Sequence, residues 1–183
     1  YKSGSAGDWF QLKLYTLAVA TDVEQITEKT LTQVMGYLRL EVGEIYLLSE
    51  DGKSLRLVHH NGDIVEKLWQ QDTYKLGEGI IGGTAKSGQP RLITLNGRDP
   101  QQIHPAVHEQ CFHQVACFPL TARSVVHGVL CVATCHPQPL DELEMQFLQA
   151  ISAWVGTAIE NVGYGQQGKR LAVLEERERI GMD

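Results

Sequence analysis

The chain has 183 residues, 43% hydrophobic and 21% charged, an ordinary globular balance for one domain with some helix appended. Its net charge of −6 argues against the basic face that a nucleic-acid footprint needs, and no apolar run approaches the roughly 20 residues of a membrane span. The four cysteines, Cys111, Cys117, Cys131 and Cys135, contain no CxxC pair and are too few for a secreted disulfide scaffold, so reduced thiols in a cytoplasmic protein are expected.

The first eight residues are Ser/Gly-rich and read as a linker or leader. Trp9, Leu12, Leu14, Leu17 and Ala18 suggest a helix. A second helix is predicted to open on the capping-box pattern Thr21-x-x-Glu24, with Ile26, Leu31, Val34, Met35 and Leu38 forming its apolar face. After Gly43 the period changes. Glu44–Ser49 and Leu55–Asn61, joined by Glu50-Asp51-Gly52-Lys53, predict an antiparallel hairpin. A short helix over Ile64–Gln70, a glycine-rich stretch over Leu76–Gly88 and a strand over Arg91–Leu95 follow. Asp99-Pro100 begins a helical or irregular excursion to Phe112. Gln114–Ala122 and Val126–Thr134 predict a second hairpin, apolar enough for a sheet centre.

Asp141–Val162 carries a broad apolar stripe of Phe147, Ile151, Trp154, Val155, Ala158, Ile159 and Val162 and predicts a long helix. Gly163, Gly165 and Gly168 are expected to interrupt it, before a charged helix over Lys169–Asp183 in which Val173 and Ile180 share a heptad position. The chain begins without Met, shows no signal peptide and ends inside a helical pattern. It therefore reads as a piece of a longer protein, whose membrane anchoring would lie outside it.

The order of elements predicts an α+β fold on a mostly antiparallel sheet. Four stretches in this order resemble a GAF domain: Glu44-Ile-Tyr-Leu-Leu-Ser-Glu-Asp-Gly, the glycine-rich run Leu76–Pro90, Cys117-Phe-Pro-Leu with His127-Gly-Val-Leu-Cys-Val, and the helix from Asp141. The resemblance implies a GAF/PAS-like antiparallel sheet of about six strands flanked by helices, with a sensory domain over residues 9–162. The run Leu174-Glu-Glu-Arg-Glu-Arg-Ile-Gly-Met-Asp resembles the opening of the dimerisation helix in histidine kinases of the nitrate-sensor and DesK type. Residues 163–183 would then be a linker and the start of that helix, a C-terminal signalling helix. The phosphoacceptor histidine would be the second residue beyond Asp183, so the chain itself would have no kinase activity. What the resemblance implies for the full protein is a homodimeric sensor histidine kinase, a transferase and phosphoprotein of a two-component system. It would have kinase dimerisation and ATPase domains C-terminal to this chain and a cognate response regulator, and no nucleic-acid partner.

Candidate chemistry divides into three groups. Gly77, Gly79 and Gly82 satisfy G-x-G-x-x-G, but Gly88-Gln89-Pro90 ends the helix early and no buried strand of the required kind precedes it. A tight turn with close packing is the expected role, and a small anion or ligand on the backbone N–H groups the alternative, with Gly79, Ile81 and Thr84 as its contacts. His104, His108, Cys111, His113 and Cys117 are the densest set of soft donors. None of the paired zinc spacings occurs, and Pro105 makes His104 a cap rather than a helical partner of His108. Ordinary structure, a polar ligand contact, and a haem or metal ligand all stay open there; no cofactor is required by the sequence. Third, if the last hairpin turns near Ser124, Cys117 falls opposite Cys131 on one face of the sheet, either as small buried apolar residues or as a redox pair.

Other GAF chemistries lack their residues. Ile81 stands where the free methionine-sulfoxide reductases carry cysteine in Gly-Val-Cys-Gly. Cys135-His136 has the letters of the bilin attachment pair but sits at a strand end, and the cyclic-nucleotide signature Asn-Lys…Phe…Asp-Glu does not occur. The resemblance thus implies a module that binds a small ligand or senses redox state. A ligand-free dimerising spacer and a haem, metal or thiol sensor are its rivals.

Overall fold

The computed structural model describes residues 22–62, 68–95 and 112–181, with side chains up to residue 163. The expected helix over Trp9–Ala20 lies outside these residues. Helix α1 (Val23–Leu38) starts on Asp22, whose Oδ1 accepts from Gln25 N at 2.8 Å. The cap is therefore one residue later than the Thr21 box predicted, because Asp22 offers the same short oxygen acceptor three residues before a free N–H. Arg39 closes the helix in the left-handed conformation, φ 53°. Strands β1 (Val42–Leu48) and β2 (Ser54–Gly62) form the first hairpin. In its turn, Asp51 Oδ1 accepts from Ser49 Oγ at 2.6 Å and from Lys53 N at 3.0 Å; these bonds, the Ser49 hydroxyl first, hold the carboxyl below its usual range.

Leu68–Gln70, the described end of the expected Ile64–Gln70 helix, is bend and bridge instead. A strand the sequence did not suggest, β3 (Thr73–Lys75), then pairs with β2. Helix α2 (Gly79–Ser87) and strand β4 (Arg91–Thr94) follow, and β5 (Gln114–Ala122) and β6 (Val125–Thr134) make the second hairpin. Helix α3 (Glu142–Gly181) opens with a reciprocal box: Glu144 N donates to Asp141 Oδ1 at 2.7 Å and Asp141 N to Glu144 Oε2 at 2.9 Å. It runs for 40 residues without a break at Gly163, Gly165 or Gly168. Glycine in a helix costs about 1 kcal/mol but deletes no backbone hydrogen bond, and that is too little to end this one.

All pairings are antiparallel and the order is β3-β2-β1-β6-β5-β4. Strand alternation splits the core into two layers. On one face α1 and α3 pack together through Ile26, Leu31, Val34, Leu148, Ile151 and Val155 against Ile45, Ala116, Phe118, Leu120, Leu130 and Val132. On the other, α2 and the Leu68-Trp69 segment cover Val42, Tyr46, Val115, Cys117, Val129 and Cys131. Helix α3 lies close upon β5 at Gly156, where a Cβ would stand 2.4–2.6 Å from the Thr121 backbone.

Candidate functional site

The face under α2 carries the reactive side chains, and strand register decides which of them meet. His60 pairs with Glu44, Glu44 with Cys131, Cys131 with Cys117, and Cys117 with Arg91. Directly paired residues share a face, so one row across five strands reads His, Glu, Cys, Cys, Arg.

Glu44 is the centre of the row's polar half and is fully buried. Such a carboxylate is tolerated only when hydrogen-bonded. Its Oε1 meets His60 Nδ1 at 2.9 Å and accepts from Leu68 N at 2.6 Å, while Oε2 accepts from Tyr46 Oη at 2.8 Å. The carboxylate thereby fastens the chain at Leu68 onto β1 and β2. Burial, then the Glu44 charge, pushes the Tyr46 hydroxyl far above the usual phenol range; burial also raises Tyr74 to about 12. The two tyrosine rings meet edge to face at 5.9 Å.

The other half is the thiol pair. Cys117 Sγ and Cys131 Sγ are 2.8 Å apart and both residues are fully buried. Burial pushes the Cys131 thiol up, with Cys117 and Glu44 adding to the effect; the Trp69 side chain opposes it. Among the described residues the buried Thr84 hydroxyl has no hydrogen-bond partner, and the buried Trp69 indole N–H faces the Cys131 sulfur. An orphaned buried hydroxyl such as that of Thr84 is a group a small polar ligand would satisfy.

Of the residues singled out from sequence, Ile81, Cys117 and Cys131 lie together in this layer, with Thr84 buried on α2. Gly79 is the first residue of α2, and Gly77 and Gly79 both have positive φ (88° and 61°), so the glycine-rich run makes the tight turn that starts the helix. His113 is exposed; its backbone joins Leu95 and Thr134, extending the sheet. His104, His108 and Cys111 lie outside the described residues, and among those described no group of three or more His, Cys, Asp or Glu could hold a metal ion. Glu44, Tyr46, His60 and Trp69 were not foreseen. The available signal was a lone acid at an inward position of the apolar strand Val42-Gly-Glu-Ile-Tyr-Leu-Leu.

Away from this face, a cleft of about 400 Å³ opens where α1 ends and α3 begins, between Arg39, His136 and Glu144. None of the six predicted site residues that are described lines it.

A family model described as GAF domain matches residues 20–160. The Nif-specific regulatory protein of Azospirillum brasilense is 28% identical over 150 residues, which are 78% of this chain and 24% of that protein. The sensor histidine kinase YhcY of Bacillus subtilis (strain 168) is 24% identical over 174 residues, 92% of this chain and 45% of that one. The chain thus spans between a quarter and a half of the curated relatives it matches. Among solved structures, the GAF domain of an Acinetobacter phosphoenolpyruvate-protein phosphotransferase superposes with TM-score 0.70 at 20% identity, covering 88% of this chain and 97% of that one. Free methionine-R-sulfoxide reductase from Neisseria meningitidis, in complex with its substrate, also gives 0.70, at 16% identity over 90% and 97%. At these identities the likeness is one of fold.

Proposed function

The chain belongs to the GAF domain family, and from that premise we propose that it is the sensory input of a two-component histidine kinase, relaying the state of its α2-covered face along α3 to a kinase beyond Asp183. The observation that carries this reading is α3 itself. Its first half is built into the core and its second half continues in the same helix to Gly181, into the run that resembles a kinase dimerisation helix. Any change that moves the sheet displaces a rod with its far end outside the domain.

Strand β5 supplies the mechanical link. Cys117 faces the α2 layer, while its neighbours Ala116 and Phe118 face α3. A ligand that satisfied Thr84 Oγ1 would favour one arrangement of that layer, and β5 would pass the difference to α3 as a shift of population. At the far end of the hairpin, Arg123 pairs with Glu160 of α3, and His127 Nε2 lies 3.5 Å from the other Glu160 oxygen. Similarity to YhcY supports the kinase output; similarity to a Nif-specific regulator supports sensory control more generally.

The test is to extend the reading frame. Leu-His-Asp or a close variant should begin at the first residue after Asp183, and the full protein should autophosphorylate from ATP. A different continuation removes the kinase. A UV–visible spectrum and metal analysis decide between a small-molecule and a haem or metal input, and thermal shift against small anions, nitrate included, tests the binding role. No residue of the described face demands nitrate.

A further inference from the structure

We propose that Cys117 and Cys131 form a reversible disulfide, a redox modification site that closes across β5 and β6 when a hydroperoxide reaches it. Three features of the pair carry this inference. The sulfurs are already 2.8 Å apart, so bonding at about 2.05 Å asks for less than an ångström of approach. The cysteines are direct partners in the register, where opposed Cβ atoms stand about 4.5–5.5 Å apart. A disulfide prefers a Cβ separation of about 3.8 Å, so closing the bond pinches two central strands together. Both residues are also fully buried, so a small neutral oxidant reaches them through local opening and a bulky disulfide reagent does not.

The chemistry balances with hydrogen peroxide as the co-reactant. One Sγ attacks a peroxide oxygen, the O–O bond breaks and one water leaves, giving a sulfenic acid. The second Sγ displaces its hydroxyl, the S–S bond forms and a second water leaves. The two thiols lose two electrons and two protons, and the peroxide takes both. A dithiol reductant reverses the step by exchange through a mixed disulfide.

Its consequence lies in the neighbours. Cys131 sits beside Trp69 and Tyr46, so loss of its S–H and movement of its sulfur alter the floor of the α2-covered layer. Phe118 and Leu120 on the reverse of β5 pack with α3, so pinching β5 towards β6 acts on the output helix. That last effect rests on the sensory reading above; the bond does not.

The experiment maps thiols in the whole chain. Reduced protein is treated with hydrogen peroxide, denatured, alkylated and digested. The Cys117 and Cys131 peptides should be recovered linked, short by two hydrogens, and dithiothreitol should return them to two alkylatable thiols. C111S/C135S should retain the link, whereas C117S or C131S alone should lose it. Oxidised glutathione should not produce it. If peroxide leaves both thiols free while converting methionines to sulfoxide, or links either cysteine to Cys111 or Cys135 instead, the proposal is overturned. Mapping on the unsubstituted chain keeps this decision independent of whether a variant folds. In the full kinase, peroxide should change autophosphorylation at least twofold in the unsubstituted protein and not in C117S. A mapped disulfide without that change overturns its role as an input and leaves the kinase assignment standing.

Discussion

Glu44 illustrates how much one residue can hold. Its three hydrogen bonds join two strands and the chain at Leu68, so Glu44→Ala leaves a buried N–H and a buried hydroxyl unpartnered and should destabilise the fold by about 2–4 kcal/mol in urea denaturation. Glu44→Gln keeps one carbonyl oxygen for Leu68 N and should cost less, about 1–2 kcal/mol. Gly156→Ala, at the contact with Thr121, drives a methyl group into backbone that cannot yield and should cost about 3 kcal/mol. At this scale legibility in the sequence was uneven. The opposition of Cys117 and Cys131 followed from counting outward from the turn, because antiparallel register is arithmetic. The grip of Glu44 did not follow, because only Tyr46 is local; its other partners come from β2 and from Leu68, 24 residues on, and no local pattern ties them to it. The α1 cap falls one residue later because Thr21 and Asp22 are adjacent and Asp is the stronger N-cap acceptor.

Among the elements, those with long periodic patterns were readable: α1, both hairpins and the first half of α3. Strand β3 was not, since three residues with only Tyr74 facing inward present no period. The three glycines in α3 were read as a break because their propensity is poor, but propensity is a weak prior against a helix already nucleated and packed upstream. Continuity makes α3 testable as a transmission rod. One residue inserted after Gly163 rotates everything beyond it by about 100°, and in the full protein it should shift kinase output strongly, whereas a seven-residue insertion should largely restore it. The capping box is a separate matter of stability. Asp141→Ala should lower thermal stability by about 1 kcal/mol without altering the sheet.

For the whole molecule, burial of titratable groups sets a direction with pH. Tyr46, Tyr74 and Cys131 all hold their protons more tightly when folded than their ordinary values allow. Above about pH 9 the unfolded chain begins to release protons that the native state keeps, so it binds fewer, and stability falls as pH rises towards 12. Urea midpoints should therefore decline steadily through this range, with the tyrosinate absorbance that Tyr46 and Tyr74 contribute appearing together with unfolding; Tyr46→Phe should flatten the decline. The strand order has a different consequence, for the route by which the molecule assembles. β1–β3 and β4–β6 are each a run of sequential neighbours, and only the β1–β6 pairing joins residues some ninety positions apart. Each triplet can form from nearby chain, but the seam between them must wait for a long loop to close, and that search is the slow one. Gly128 stands on the seam, where a Cβ would meet Tyr46 O at 2.3 Å. Crowding that point should slow refolding as well as weaken the native state, since among the described strands β1 and β6 make the one pairing between the two halves.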